Sequence, residues 1–356
     1  MGGGVVSESD LMDAVVLTSK HCLEYKRVPI PVPVVGQMLV RTIYAGICGS
    51  DVHAYHGLQP SLTYPRVMGH ELVAEVIKIN GPCSIKIGAH VVIDPSYRCG
   101  ICDRCVSGKG NICDQLKVLG VHCDGGFAQY FVCDIAMAHL LPEGISDECA
   151  VFCEPLSIAV HATRRMCTPI CDTALIIGAG PIGLALLLAI KRVCKRTIIL
   201  DILENRLEAA RNIGADLVLN SAKNPEDLES MILATIKRPA DIVFDTVSNP
   251  SSVQNDELLV KRGGEVIIVG LSNRETGIHL LPILKKELTI NGTRMTTHQD
   301  FSDALTLLQK IDPQRIRHII TNTFALSEAI EGIKFVEQHP EKGIKTIITF
   351  NNREKA

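Results

Sequence analysis

The sequence lacks the features of several protein classes. Lys and Arg number 36 against 39 Asp and Glu, a formal net charge of −3, so the basic excess needed to bind a phosphate backbone is missing. The most apolar segment, residues 184–190, ends at Lys191 and Arg192, whereas a membrane-spanning helix needs roughly 20 residues. The opening MGGGVVSESDLMDAVVL has neither the basic region nor the long apolar run of a signal peptide. These absences predict a cytoplasmic protein that binds neither nucleic acid nor membrane and acts on a small molecule.

What is present describes a globular protein of two domains. The 356 residues exceed one ordinary core, and 46% hydrophobic with 21% charged residues is a globular composition. Fourteen cysteines suggest a disulfide scaffold only in short secreted chains, and here five of them occupy metal-like positions. We therefore predict reduced thiols.

The pattern of the chain changes near residue 174. Before residue 150, short β-type runs such as AVVLT, MLVRTIYAG and ELVAEVIKI are broken by Gly, Pro and Asp. From residue 174, strands and helices alternate (ALIIGAG, PIGLALLLAIKRV, TIILDI), which predicts a doubly wound parallel sheet. The last stretch offers two amphipathic helices and a final β run, KTIITF. The predicted class is α/β, with a β-rich domain at 12–163, a Rossmann domain at 164–296 and a segment at 297–356 that returns to the first domain.

Four cysteines form a C-x2-C-x2-C-x7-C motif: Cys99, Cys102, Cys105 and Cys113. Four thiolates saturate a tetrahedral zinc and leave no open position, so the motif predicts a structural zinc site. The alternatives are ordinary buried or disulfide-paired cysteines, or the start of an iron–sulfur motif. The close spacing favours zinc.

A glycine-rich turn follows the run ALII and precedes an apolar helix, as a dinucleotide-binding turn requires. An acid, Asp201, lies 18 residues beyond Gly183 at the end of TIIL, where a carboxylate can bind both ribose hydroxyls and repel a 2′-phosphate. NAD is therefore predicted over NADP. The alternatives are a tight turn without ligand and a helix cap by Asp201. The residues assigned to this site are Gly178, Gly180, Pro181, Ile182, Gly183, Asp201, Arg206, Val269 and Gly270.

A second set of polar residues is dispersed over three short motifs. GICGSDVH contains Cys48, Ser50, Asp51 and His53, MGHE contains His70 and Glu71, and CEPLSIAVH contains Glu154. A catalytic zinc takes about three protein ligands and keeps a position open, and thiolate, imidazole and carboxylate can supply them. Each residue alone has an ordinary structural explanation.

Together, GICGSDVH, YPRVMGHE, the four-cysteine motif and the glycine-rich turn resemble the zinc-dependent medium-chain dehydrogenases of the alcohol and sorbitol dehydrogenase type. The resemblance runs from about residue 12 to the end, and the pair of Glu154 and Pro155 is similar to the polyol branch. It implies a GroES-like catalytic domain, two Zn2+ ions per subunit and an NAD-linked oxidation of an alcohol to a ketone by hydride transfer.

The resemblance also implies roles for single residues. Cys48, His70 and Glu71 contact the metal, and Glu154 either ligates it or holds its water. Asp51 accepts a hydrogen bond from His70, and Ser50 with His53 relays the proton. Cys153, beside Glu154, is interpreted as a core thiol. Arg206 argues weakly for NADP tolerance, but in this family a basic residue there commonly accompanies NAD.

The motifs QPSLTYPRVMGHE, VLGVHCDGGFAQY, EPLSIAVHATRR and NGTR resemble enzymes that oxidise C5 of L-galactonate or L-gulonate, so a polyol or sugar acid is the expected substrate. Arg294, in NGTR, is the candidate for binding its carboxylate. The alternatives are an L-threonine 3-dehydrogenase-like amino-alcohol dehydrogenase and a non-catalytic zinc and nucleotide binder. The segment ELTINGTRM, residues 287–295, occupies the place of the family's edge strand, which implies a homodimer or homotetramer.

Overall fold

The computed structural model describes residues 8–168, 171–222, 228–272 and 275–350, without the side chains of residues 229, 235 and 236. Within these ranges no helix is both long and apolar enough to cross a membrane.

The strands follow one another in this order: β1 Leu11–Ser19, β2 Cys22–Pro29, β3 Gln37–Ile47, β4 Arg66–Val67, β5 Glu71–Asn80, β6 His90–Ile93, β7 Ser96–Tyr97, β8 Lys117–Val118, β9 Tyr130–Asp134, β10 Ala138–Leu140, β11 Cys171–Ile177, β12 Cys194–Asp201, β13 Leu217–Asn220, β14 Ala240–Asp245, β15 Val260–Ile268, β16 Thr289–Gly292, β17 Ile320–Ala325 and β18 Lys345–Thr349.

The helices are α1 Gly49–Tyr55, α2 Asp103–Val106, α3 Asp147–Ala150, α4 Cys153–Thr163, α5 Pro181–Ile190, α6 Glu204–Asn212, α7 Leu228–Ile236, α8 Pro250–Leu259, α9 Leu280–Lys286, α10 His298–Leu308, α11 Pro313–Arg317 and α12 Ala329–Gln338. Short 3-10 turns lie at Glu8–Asp10, Gly110–Ile112, Ile135–Met137 and Leu326–Glu328.

Contacts divide the chain into two compact units. The first contains the described residues up to Glu154, Thr297–Pro313 and the chain from Ile320 onward, and the second contains Pro155–Thr296 and Gln314–Ile319. The boundary predicted from the sequence lies after residue 163, nine residues later than the division after Glu154. The division falls inside α4, and the sequence of a continuous helix does not show which of its residues pack on which unit.

The first unit is built mainly from antiparallel strands. Its largest sheet has the order β10-β6-β5-β3-β18-β17, with β9 also paired to β3. The strands alternate buried and less buried residues, as sheets with one solvated face do. β18 comes from the end of the chain yet pairs antiparallel with β3, so the C-terminal segment completes this sheet. β2-β1-β4 and β7-β8 form two smaller sheets.

The second unit holds a parallel sheet with the order β13-β12-β11-β14-β15-β16. This is the doubly wound order in which the first strand, here β11, lies near the middle. Most of β11 and most of the second half of β12 are apolar and buried, as in strands whose two faces are both covered. α5 begins with Pro181, which is suited to the first helical turn, and residues 183–190 are buried. The predicted α/β class, with a GroES-like part and a Rossmann part, is confirmed.

The prediction of reduced thiols is wrong for one pair. Cys171 and Cys194 form a disulfide, with Cα atoms 4.7 Å apart. They stand directly opposite each other at the start of β11 and β12, within the Cα separation that a disulfide requires. Sequence spacing does not show strand register, so this pair was not recognisable in advance.

Candidate active site and cofactor site

Three metal-binding side chains converge in the first unit. Cys48 follows β3 and occupies the N-cap position of α1, while His70 directly precedes β5 and Glu71 is its first residue. β3 and β5 are antiparallel neighbours, and their register sets Gly46 opposite Glu71. One ligand atom from each of Cys48, His70 and Glu71 lies within 4.8 Å of the others. A thiolate, an imidazole and a carboxylate together are the donors of a zinc site that keeps a position open.

Sequence reasoning missed a buried lysine in this cluster. Lys345 begins β18, the neighbour of β3, and is 1% exposed. Its Nζ pairs with the Glu71 carboxylate and donates to the carbonyl oxygen of Ile47 at 3.0 Å. Gly46 leaves room for the carboxylate, because a Cβ there would overlap Glu71 Oε2. The only available signal was a cation at the start of the apolar run KTIITF.

The hydrogen bond predicted between Asp51 and His70 is not formed. Asp51 Oδ2 accepts from the Cys48 backbone N–H at 2.8 Å, and Oδ1 lies 3.8 Å from His70 Nδ1, which is an ion-pair distance. Within the described parts of the chain, the buried Nδ1 of His70 has no hydrogen-bond partner. Burial raises the pKa of Asp51. These residues fit a dication, which would offset the buried negative charge and supply a partner for the imidazole.

Glu154 is close to this cluster but is not one of the three residues whose ligand atoms group together. It is buried at the start of α4, and burial raises its pKa to about 7, with His70 acting against the shift and Glu71 adding to it. Burial also raises the pKa of its neighbour Cys153 well above the usual thiol value. The geometry favours Glu71 over Glu154 as the third ligand, and a protonated Cys153 agrees with its interpretation as a core thiol.

The two predicted relay residues lie on α1. Ser50 Oγ is 3.5 Å from Nε2 of His70, so its hydroxyl stands beside a proposed metal ligand. His53 is exposed and lies three residues further along the same helix, on the same face as Ser50. The helix therefore carries one hydroxyl next to the cluster and one titratable ring at the surface.

The four clustered cysteines lie together in the first unit. One sulfur from each lies within 4.8 Å of the others, and the Sγ atoms of Cys99 and Cys113 are 3.5 Å apart. Backbone N–H groups of Cys102 and Gln115 donate to the sulfurs of Cys99 and Cys113, each at 3.4 Å. The backbone N–H of Asp114 lowers the pKa of Cys102 to about 6. Four sulfurs surrounded by N–H donors fit a closed tetrahedral zinc site.

The glycine-rich turn joins β11 to α5 in the second unit. Gly178 has a φ of +94°, in the region that glycine tolerates, and a Cβ there would meet Thr246 Oγ1 at 2.5 Å. A Cβ on Gly183 would overlap the carbonyl oxygen of Gly178, so the helix packs tightly on the turn. Gly180 is the N-cap of α5, followed by Pro181 and Ile182. The turn thus presents a helix N-terminus, which suits a pyrophosphate.

Asp201 stands at the end of β12 and is 8% exposed. One oxygen accepts from the Ala179 N–H at 2.7 Å and the other from the Leu203 N–H at 2.9 Å, so the carboxylate ties the glycine-rich turn to the start of α6. Arg206 Nη1 lies 3.9 Å from Asp201 Oδ2. The N-cap of α6 is Leu203, so the alternative of a helix cap by Asp201 is wrong, and the ribose role remains a prediction.

Val269 and Gly270 follow β15, and both backbone N–H groups donate to the carbonyl oxygen of Asp245. A Cβ on Gly270 would come within 2.8 Å of the Thr246 backbone, so this loop passes close to the end of β14. These residues therefore line the same carboxyl edge of the sheet as the glycine-rich turn.

β16 forms an edge of the parallel sheet and, among the described strands, pairs only with β15. Next to it along the chain, α9 exposes Leu280, Leu281 and Leu284, the last to 72%. Arg294 is exposed two residues beyond β16, in the second unit. An open edge beside exposed leucines is the kind of surface that a subunit interface can cover, and the interface stays a prediction.

Family models match two regions of the chain. The alcohol dehydrogenase GroES-like domain covers residues 35–143, and the zinc-binding dehydrogenase domain covers residues 181–310.

Known proteins match over almost the whole length. The starvation-sensing protein RspB of Escherichia coli strain K12 is 33% identical over 345 residues, 96% of this chain and 100% of RspB. L-galactonate-5-dehydrogenase of the same strain is 34% identical over 295 residues, 82% of this chain and 85% of that enzyme. A solved structure of RspB from E. coli CFT073, complexed with NADH, is 32% identical, with a TM-score of 0.87 and coverage of 96% of this chain and 100% of that one.

Proposed function

Because the chain belongs to the zinc-binding dehydrogenases of the alcohol dehydrogenase family, we propose that it oxidises a secondary alcohol of a polyol or sugar acid to a ketone, with NAD as hydride acceptor. The observation that carries the proposal is the convergence of Cys48, His70 and Glu71 beside Ser50. The second unit contributes the dinucleotide turn and Asp201.

The residues have separate tasks. A bound zinc supplies Lewis acidity toward a hydroxyl, and the nicotinamide supplies the redox chemistry. Cys48, His70 and Glu71 would hold the metal, and Lys345 pairs with the Glu71 carboxylate and keeps it in place. Ser50 would accept the proton that leaves the substrate as it gives up its own, and His53, which is exposed on the same helix, would pass a proton to water.

We propose two zincs per chain, one in the open site and one in the four-cysteine site, since each donor set suits one ion. Metal analysis of purified protein should give about two zincs per chain. One zinc, or iron, would contradict the assignment of the four cysteines.

The choice of a sugar acid rests on the relative named L-galactonate-5-dehydrogenase and on Arg294. A planar guanidinium can bind a carboxylate through two hydrogen bonds, which a neutral polyol cannot offer. Asp201 supports NAD, because a carboxylate at the end of β12 repels a 2′-phosphate.

NAD reduction with L-galactonate, L-gulonate, sorbitol and L-threonine tests the substrate class. We expect turnover with an aldonate or a polyol and none with L-threonine. Turnover with L-threonine alone would favour the amino-alcohol alternative, and no turnover with any of them would favour a non-catalytic binder. Ser50→Ala should abolish most of the activity, while the exposed Ser61→Ala should retain it.

A second comparison tests the carboxylate contact. Arg294→Met should raise KM for the aldonate about 10- to 100-fold, as expected for loss of a charged hydrogen bond, and affect sorbitol less. The control is Arg211→Met, which removes an exposed arginine of α6 that pairs with Glu204. Equal effects on acid and polyol would remove the support for a sugar acid.

We further propose that two copies pair through β16 and α9, in the cytoplasm. Leu284→Glu should shift the protein to a smaller species in light scattering, because a buried charge at an interface is costly. The exposed Leu140→Glu of the first unit is the control. A wild-type monomer would refute the pairing.

A further inference from the structure

The first unit contains a third group of metal-binding side chains, separate from both zinc sites. One ligand atom from each of Asp94, His139 and His298 lies within 4.8 Å of the others. Asp94 follows β6, His139 lies in β10, and His298 begins α10. The proposed alcohol oxidation assigns no role to these three residues.

The sheet register explains how two of them meet. β6 and β10 are antiparallel neighbours in which His139 opposes Val92. Asp94 lies two residues after Val92, so its side chain leaves the sheet on the same face as His139, one diagonal step away. His298 then comes from the C-terminal segment, and its ring packs against that of His139 with centroids 4.5 Å apart.

A serine fixes the tautomer of His139. Ser302 Oγ lies 3.2 Å from the carbonyl oxygen of His298, which can only accept, so the single hydroxyl proton is used there. The same Oγ lies 3.4 Å from His139 Nδ1 and, with its proton directed at His298, accepts a hydrogen bond from the Nδ1–H. Nε2 of His139 therefore carries a lone pair. This is the arrangement by which outer hydrogen bonds orient a metal-ligating imidazole.

That lone pair has no partner. Nε2 of His139 is buried, and none of the described residues offers it a hydrogen bond. A buried acceptor without a donor is costly, and a metal ion or an ordered water is the usual remedy. The neighbouring ligands, an imidazole and a carboxylate, favour a metal.

Asp94 keeps room for a metal despite an ion pair. Arg98 donates to Oδ2 at 2.7 Å and to Oδ1 at 3.3 Å, and the Ser96 N–H donates to Oδ1 at 3.2 Å. A carboxylate offers about four lone-pair positions, so one remains on Oδ2. Because Arg98 balances the charge of Asp94, we expect this site to bind a metal ion with lower affinity than a site built of thiolates.

We propose that Asp94, His139 and His298 bind one divalent transition-metal ion, with water completing its coordination. Two imidazoles and one carboxylate suit zinc, nickel, cobalt, copper or ferrous ions and not calcium or magnesium. Because His298 belongs to the C-terminal segment and the other two ligands to the N-terminal part of the same unit, the ion ties these parts together.

The experiment uses the protein loaded with its two zincs and titrates additional Zn2+ by calorimetry, with the melting temperature followed in parallel. We expect one further equivalent to bind and to raise the melting temperature, because a ligand that binds only the folded state stabilises it. His298→Ala and His139→Ala should abolish this binding. Ser302→Ala should weaken it about 10- to 100-fold, the usual effect of removing an outer partner of a ligand.

The matched control is His90→Ala, which removes a histidine paired with a single aspartate, Asp147, at 2.8 Å in the same unit. It should leave the additional site intact. Absence of a further equivalent in the wild type would overturn the proposal, as would binding that survives both His139→Ala and His298→Ala. Because His298 is exposed, its replacement tests the site even if His139→Ala, whose ring packs on Phe301, folds poorly. The measurement involves no turnover, so it is independent of the proposed dehydrogenase activity.

Discussion

Replacing Asp256 by Asn should stabilise the second unit, and the gain should grow with pH. Asp256 lies in α8, is 4% exposed, and neither oxygen of its ionised carboxylate accepts a hydrogen bond from the described residues. Burial raises its pKa from the ordinary 3.8 to about 9, and the buried carboxylate of Asp245 adds to the shift. Asp245 is already satisfied by the N–H groups of Val247 and Ser248 and by the Ser252 hydroxyl.

The sign follows from proton binding. Between pH 4 and 9 the folded chain holds a proton on Asp256 that the unfolded chain has lost, so the stability contributed by this group falls as pH rises through that window. The free energy of unfolding falls by about 1.4 kcal/mol for each pH unit in this window. Between pH 4 and pH 7 the loss amounts to roughly 4 kcal/mol, which a side chain that does not titrate would not show. An asparagine has the shape of the protonated carboxyl and does not titrate.

Urea unfolding of the wild type and Asp256→Asn at pH 5, 6, 7 and 8 measures the difference. We expect the free energies of unfolding to diverge by about 1.4 kcal/mol per pH unit. The control is Glu208→Gln, which removes an exposed carboxylate from α6 and should give a constant offset. Parallel curves for the wild type and Asp256→Asn would show that Asp256 ionises in the folded protein and would refute the reasoning.

Four further predictions concern the sites. Cys113→Ser should lower the melting temperature and solubility before it lowers activity, because a closed zinc site contributes folding energy. Lost activity at an unchanged melting temperature would show that the structural and catalytic assignments of the two zinc sites must be swapped. Asp201→Ala should narrow the preference for NAD over NADP in steady-state kinetics, and an unaltered preference would leave Asp201 only its structural bonds to Ala179 and Leu203. Lys345→Met should destabilise the protein by about 3 to 5 kcal/mol in denaturant unfolding, because it leaves a buried carboxylate without its cation. Lys345→Arg should recover part of this stability. If Lys345→Met left the free energy of unfolding unchanged, the ion pair would make no net contribution to stability. His53→Ala should slow alcohol oxidation more at low than at high pH, since hydroxide and buffer replace a proton shuttle when protons are scarce, and a uniform loss across pH would assign His53 another role.

Local patterns predicted much of this architecture because they are set by nearby residues. The period of apolar residues identified β3, β5 and α5, and the spacing of the four cysteines identified their cluster. Cys48, His70 and Glu71 were found through short motifs, although the contact between them is made by the register of β3 and β5.

The features that sequence reasoning missed depend on register or on distant packing. The disulfide of Cys171 and Cys194 arises from the parallel pairing of two strands. Lys345 reaches Glu71 only because β18 inserts beside β3. Asp51 does not hydrogen-bond His70, because the bond from the Cys48 N–H to Oδ2 fixes the carboxylate with its other oxygen, Oδ1, 3.8 Å from the ring. None of these contacts is indicated by a periodic pattern or a motif in the sequence.

The position of Lys345 also bears on the order in which the molecule is made. Its Nζ binds the carbonyl oxygen of Ile47, 298 residues earlier in the chain, and the same side chain offsets the charge of Glu71. During synthesis at roughly 5–20 residues per second, Cys48, His70 and Glu71 therefore leave the ribosome many seconds before their counter-charge exists. Until β18 emerges, β3 has an open edge and Glu71 has no cation, so a nascent chain lacks both the finished sheet and the balanced cluster. Completion of this centre therefore waits for β18, which is made 298 residues after Ile47, whose carbonyl oxygen Lys345 binds.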